Sequence, residues 1–199
     1  MMIDLDDSQL VLVDYQDRLM PAIWQGAEAL ARAVLLARVA QRLQVPVWGT
    51  EQNPEKLGAN AAELRGLCQK TFAKMHFNAC ESDLLKALRP PAKPAGNARS
   101  LPKHLQKPQA QGPSRNTVVL AGCEAHVCLL QTALGLLEHE FDVWVVTDAC
   151  SSRRERDRDA AFDRLAGNGV ELVTSEMVVF EWLKSCEHAA FRDVLKWIK

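Results

Sequence analysis

A carboxylate, an amine and a thiol stand at equivalent places in this sequence, each where an apolar run gives out. Asp14 closes QLVLVD, Lys74 closes QKTFAK, and Cys128 stands in AGCEAHVCLLQTALGLLEHE, which takes over from the run NTVVLAG. Such a trio can carry out nucleophilic acyl chemistry. Only the thiolate of cysteine attacks, and a free thiol with a pKa of about 8.5 is mostly protonated at neutral pH. A neighbouring ammonium and a helix N-terminus both favour the thiolate, and a carboxylate can pass the proton to a leaving group. Backbone N–H groups in the turn before the helix can meet the oxyanion of a tetrahedral intermediate. Cys123, in the same stretch, is a second candidate thiol. Each residue taken singly also has a plainer role, as a small buried apolar cysteine, a turn aspartate or a solvated lysine. Residue types alone leave both thiols open.

To act together these groups must be brought to one place, and the rest of the chain predicts how. Apolar runs predict strands at 9–15, 45–52, 68–77, 116–122, 141–149 and 170–175. Between and after them, amphipathic stretches predict helices at 26–44, 81–89, 124–140, 154–169, 176–184 and 188–199. Strand–helix alternation means βαβ crossovers. The predicted fold is α/β: a three-layer αβα sandwich around a doubly wound, six-stranded, mostly parallel, Rossmann-like sheet. Ligands in such sheets bind at the carboxyl ends of the strands, where the strand order reverses. Asp14, Lys74 and Cys128 would meet on that edge.

Length and composition set the outer bounds. With 199 residues and 48% hydrophobic content the chain reads as one globular domain spanning 1–199. A formal net charge of -1 argues against a partner recognised through bulk charge, whether nucleic acid or membrane surface. No apolar run approaches the roughly 20 residues of a membrane span, and MMIDLDDSQ does not read as a secretory signal, so a cytoplasmic protein is expected. The six cysteines form no C-x-x-C pair and have no zinc-finger histidines beside them; reduced thiols are the expectation. His76, His126 and His139 share no metal-binding spacing, and neither a metal nor another cofactor is expected. One segment differs in texture. Arg89–Asn116 holds six of the nine prolines and several basic residues but no acid, and reads as an insertion in the domain. It can be a solvated loop, a docking arm or a lid; it lacks the aromatics that stack on bases.

VLVDYQDRL, KMHFNAC and LAGCEAHVCLLQTA, with WGTEQNPEKLG and VVTDACSSR, together resemble the isochorismatase-like cysteine hydrolases, in particular the branch with an E-T-H-V-C motif. The resemblance covers nearly the whole chain outside the insertion. It implies that Cys128 is the nucleophile, Asp14 the general base and acid, and Lys74 the cation holding thiolate and aspartate. It further implies a cis peptide between Cys123 and Glu124, with the Glu124 and Cys128 N–H groups forming the oxyanion hole. Cys123 is then a backbone position. Gln16, Leu19, Trp24, Phe77 and His126 become candidate pocket residues. The chain departs from the branch at Ala125, usually threonine, and at Asn78, usually serine or aspartate.

The implied reaction is cleavage of a small-molecule C–N bond, of amide type, through a Cys128 thioester. Nicotinamidases share the fold but bind a metal through an aspartate and histidines after the second strand. The stretch WGTEQNPEKLGAN offers Glu51 and no histidine, which makes that a lesser alternative. A member of different class, a retired interaction protein using the insertion for docking, is the main competing reading, and RNA binding through the insertion a third. Relatives assemble into dimers and larger closed forms, so the resemblance implies a homo-oligomer. Trp182 and Trp197 are candidates either for that interface or for packing on the sheet.

Overall fold

The computed structural model describes residues 2–90 and 115–198. Six strands, β1 (Ser8–Val13), β2 (Val47–Gln52), β3 (Lys70–Lys74), β4 (Thr117–Gly122), β5 (Asp142–Val146) and β6 (Glu171–Val173), form one sheet in the order β3-β2-β1-β4-β5-β6. Every neighbouring pair is parallel. The α/β sandwich read from the sequence is the fold observed. β1 and β4 are buried at every residue, as central strands covered on both faces require. The outer strands are mixed: β3 exposes Lys70 and Ala73, and β6 exposes Glu171.

Helices cover both faces. On one, α1 (Gly26–Arg42) packs against α7 (Ser175–Leu183) and α8 (Phe191–Ile198). Its buried Ala29, Ala33, Leu36, Ala37 and Ala40 recur at helical spacing, and the small alanines let it lie close to the sheet. On the other face, α5 (Leu130–Glu138) packs against α6 (Glu155–Gly167) and against a 3-10 turn, Ala79–Glu81, that precedes α4 (Leu84–Leu88). Two four-residue helices, α2 (Pro54–Leu57) and α3 (Ala62–Arg65), follow β2. The sequence reading left them out, because one helical turn is too short to show a period.

The strand order reverses between β1 and β4, and the two approach closely there. The residue opposite Val13 on β4 is Gly122, where an added Cβ would lie 2.5 Å from the Val13 Cβ and carbonyl oxygen. Only glycine fits at that register position. The Cys123 N–H then donates to the Val13 carbonyl at 2.9 Å, so the chain leaves β4 directly beside Asp14.

Residues 91–114, most of the predicted insertion, lie outside the described residues, and so do the roles suggested for them. Its two roots are defined, and both sit at the amino edge of the sheet. The Gln9 Nε2 donates to the carbonyls of Leu88 (3.1 Å) and Arg115 (2.9 Å). The Arg115 guanidinium donates to the Leu5 and Ser8 carbonyls, each at 2.8 Å, and Asp7 accepts from the Asn116 and Thr117 N–H groups and the Thr117 hydroxyl. The two C-terminal tryptophans divide. Trp182 is buried, its Nε1 donating to the Ser8 hydroxyl at 3.0 Å, whereas Trp197 is 39% exposed.

Candidate active site

Each group of the trio is delivered by the end of a strand. Asp14 follows β1 in a left-handed conformation (φ 55), which swings its carboxylate under the sheet edge. It is fully buried, and its Oδ1 accepts from the Thr50 hydroxyl of β2 at 2.7 Å. Lys74 is the last residue of β3, two strands away. Its long side chain crosses the end of β2 and places Nζ 2.7 Å from Asp14 Oδ2. Neither side chain reaches solvent. A buried charge of either sign is costly alone, so each makes the other tolerable as an ion. Cys128 lies in a π-helical turn, Ala125–Leu129, that leads from β4 into α5, and is 6% exposed.

Gln52 links these three, and the sequence reading missed it. It ends β2, between the strands that carry Asp14 and Lys74. Its Oε1 accepts from Lys74 Nζ at 2.8 Å and lies 4.0 Å from Cys128 Sγ in hydrogen-bonding geometry. Its Nε2 donates to the Met75 carbonyl at 2.8 Å, which fixes the sense of the amide. Glutamine at a strand end carries no chemical signature of its own. The signal that could have found it is topological: β2 lies between β1 and β3 in the Rossmann order.

The thiol does not have the poise expected from an ammonium and a helix start. Burial pushes Cys128 up to about 12; the Asp14 carboxylate adds to the rise and Lys74 opposes it. The π-turn also keeps Cys128 off the first turn of α5. Cys123 is likewise pushed up to about 12, chiefly by complete burial. All six cysteines are free thiols.

The peptide between Cys123 and Glu124 is cis, at the bond where the resemblance places it. A crossbar of three residues, Ser151–Arg153, braces this turn. The Ser151 carbonyl accepts from the Ala125 N–H at 2.8 Å, and Glu124 Oε2 accepts from the N–H and the Nε of Arg153, both at 2.9 Å. His126 Nδ1 lies 2.9 Å from the Ser152 hydroxyl. The same crossbar holds Trp24, whose N–H donates to the Ser152 carbonyl at 3.0 Å and whose ring lies under the Arg158 guanidinium.

The remaining pocket candidates scatter. Gln16 is buried with its amide wholly committed: Oε1 accepts from the Gln52 N–H (2.8 Å), and Nε2 donates to the carbonyls of Gln52 (3.0 Å) and Gly58 (2.6 Å). It shapes the end of β2. Leu19 is half-buried against the core, tied to this region by its N–H donating to the Gln16 carbonyl. Phe77 is 50% exposed, and its carbonyl, at 3.3 Å, takes a third bond from Lys74. Asn78 turns away, with Oδ1 accepting from the Cys80 N–H and its amide wedged against Gly135 of α5. Glu51, the one acid available to a nicotinamidase-like metal set, accepts from the Asn60 N–H instead. Among the described residues no group of three or more His, Cys, Asp or Glu is arranged to hold a metal ion. No described helix is long and apolar enough to cross a membrane.

Fold and site together define an α/β protein with a buried Asp–Lys pair and a cysteine at the β1/β4 switch point. The isochorismatase domain matches residues 8–177, and the chain belongs to that family. Isochorismatase domain-containing protein 2B of Mus musculus is 32% identical over 98% of this chain and 82% of its own length. The structure described as MAR1 ribonuclease from Caenorhabditis elegans superposes with a TM-score of 0.84 at 29% identity, covering 100% of this chain and 92% of that one. The YcaC gene product of Escherichia coli, described as an octameric hydrolase of unknown specificity, shares the fold at a TM-score of 0.77 and 22% identity, covering 98% and 95% of the two chains.

Proposed function

We propose that the protein is a cysteine hydrolase that cleaves an amide-type C–N bond of a small molecule through a thioester on Cys128. The observation that supports this most is the meeting of Cys128 with the buried Asp14–Lys74 pair at the switch point. In this reading Asp14 takes the thiol proton as sulfur attacks the carbonyl carbon, and the Glu124 and Cys128 N–H groups receive the oxyanion. The protonated Asp14 then gives its proton to the departing amine as the C–N bond breaks. A water molecule, deprotonated by Asp14, opens the thioester to release the acid and restore the thiol. Lys74 keeps Asp14 anionic before attack and balances charge on sulfur. A resting thiol that is neutral suits this sequence, since the proton moves only when a carbonyl is present to be attacked.

The test is a screen of small amides, carbamoyl compounds and esters against the wild type and Cys128→Ala, with intact-mass detection of an acyl adduct. Turnover undiminished in Cys128→Ala would sink the proposal. The near-complete burial of Cys128 favours a second reading, a member that keeps the residues without turnover. It predicts no acyl adduct with any compound. RNA cleavage, the activity named for the C. elegans relative, suits a thiol this buried less well than a small carbonyl does. A homo-oligomer is also proposed, supported by the exposed Met75, Phe77, Met177, Phe180 and Trp197. Light scattering in solution tests it.

A further inference from the structure

An ammonium group has three N–H bonds. On Lys74 all three are taken: by Asp14 Oδ2 at 2.7 Å, Gln52 Oε1 at 2.8 Å and the Phe77 carbonyl at 3.3 Å. A thiolate within reach of this ammonium must therefore compete with an oxygen acceptor already in place. That same Gln52 oxygen lies 4.0 Å from Cys128 Sγ, a long sulfur contact, and the Asp14 carboxylate and Lys74 ammonium also stand within reach of the thiol. Gln52 cannot readily turn its amide over, because Nε2 is held by the Met75 carbonyl and the backbone on both sides of the residue's peptide is held by Gln16.

We propose that Gln52 is a positioning residue that keeps the site at rest: its Oε1 occupies one N–H of Lys74 and offers the Cys128 thiol an acceptor, so that the nucleophile forms only when Lys74 exchanges Gln52 for sulfur. Describing sulfur as the nucleophile rests on the hydrolase reading; the hydrogen-bond arrangement does not. The charged groups facing the thiol are Asp14 from the end of β1 and Lys74 from the end of β3. β2 contributes the neutral Gln52, and His126 of the thiol's own turn is directed to Ser152. The raised thiol of Cys128 agrees with such a resting state.

The arrangement makes opposite demands of two substitutions. Gln52→Met removes the acceptor at similar volume and frees an N–H of Lys74 for sulfur. Gln52→Glu places a carboxylate there, which binds Lys74 more firmly and repels a thiolate. The experiment is iodoacetamide labelling from about pH 6 to 10, with Cys128 followed by peptide mass and the exposed Cys186 as internal reference. Gln52→Met should label Cys128 about tenfold faster at neutral pH, its profile moved to lower pH; Gln52→Glu should label about tenfold slower, moved the other way. Cys186 should not change. Both variants moving together, or neither moving, would overturn the proposal, because a merely structural role gives no opposite signs. If either variant fails to fold, the wild type still decides: its Raman difference from Cys128→Ala should contain an S–H stretch shifted by hydrogen bonding. Absence of that S–H band at neutral pH would mean a resting thiolate and would equally overturn it. No substrate enters these measurements, so they stand apart from the hydrolysis screen, which can fail while Gln52 behaves as stated.

Discussion

The two edges of the sheet handle buried polar groups in opposite ways. At the amino edge Asp7, Gln9 and Arg115 spend their hydrogen bonds mostly on main chain, tying the start of β1 to the start of β4. At the carboxyl edge Asp14, Lys74, Gln52 and Cys128 face one another, side chain to side chain. Bonds to a fixed backbone leave a group nothing to do but hold. Bonds among side chains can be exchanged when a ligand arrives, and the charges they carry are available to it. On the proposed hydrolase reading the contrast separates stability from chemistry within one sheet, and it can be broken from either side.

The largest effect should come from the thiol. Cys128→Ala should lower hydrolysis of any substrate found by about a thousandfold or more while leaving the melting temperature nearly unchanged. Asp14→Asn should also abolish turnover, but it strands the Lys74 charge inside the protein and should cost about 3–5 kcal/mol by denaturant unfolding. Adding Lys74→Met to Asp14→Asn should recover much of that stability and none of the activity. Recovery of both would erase the distinction between the edges. At the amino edge Gln9→Ala leaves two carbonyls without their donor and should cost about 1–3 kcal/mol, with Cys128 labelling unaltered. Smallest is a pH effect on stability. Burial holds Cys68 up at about 11 and Cys80, Cys123 and Cys128 at about 12. Unfolded thiols ionise near about 8.5. The stabilisation from neutral buried thiols is therefore complete below that pH and drains away as pH rises towards 12. Thermal melts under reducing conditions should show a decline over this window, shallower in Cys128→Ala.

Much of the fold was legible because it repeats one unit. The runs ending at Asp14, Lys74 and Gly122 are apolar enough to read as strands, and the alanine-rich stretch after Gly26 has an unmistakable helical period. Their convergence on one edge followed from the parallel topology alone. α2 and α3 were not legible, being single turns fixed by their surroundings. Trp182 and Trp197 looked alike in sequence; the contact with Ser8, far away in the chain, buries one and not the other. At the site, residue types and the family resemblance pointed to the trio, but not to Gln52, whose part depends on which strands flank β2. The upward shift of the Cys128 thiol was not legible either. Charge and helix position can be counted along a sequence, whereas desolvation depends on everything folded over the residue.

The Gln9 amide has a consequence for how this chain can vary. By bonding the Leu88 and Arg115 carbonyls with one nitrogen, it fixes the ends of the intervening segment side by side. For a segment whose ends are already pinned together, doubling the number of residues costs only about 0.6 kcal/mol of closure entropy. A change of length between these two anchors is thus cheap, and the anchors themselves stand at the edge of the sheet away from the thiol.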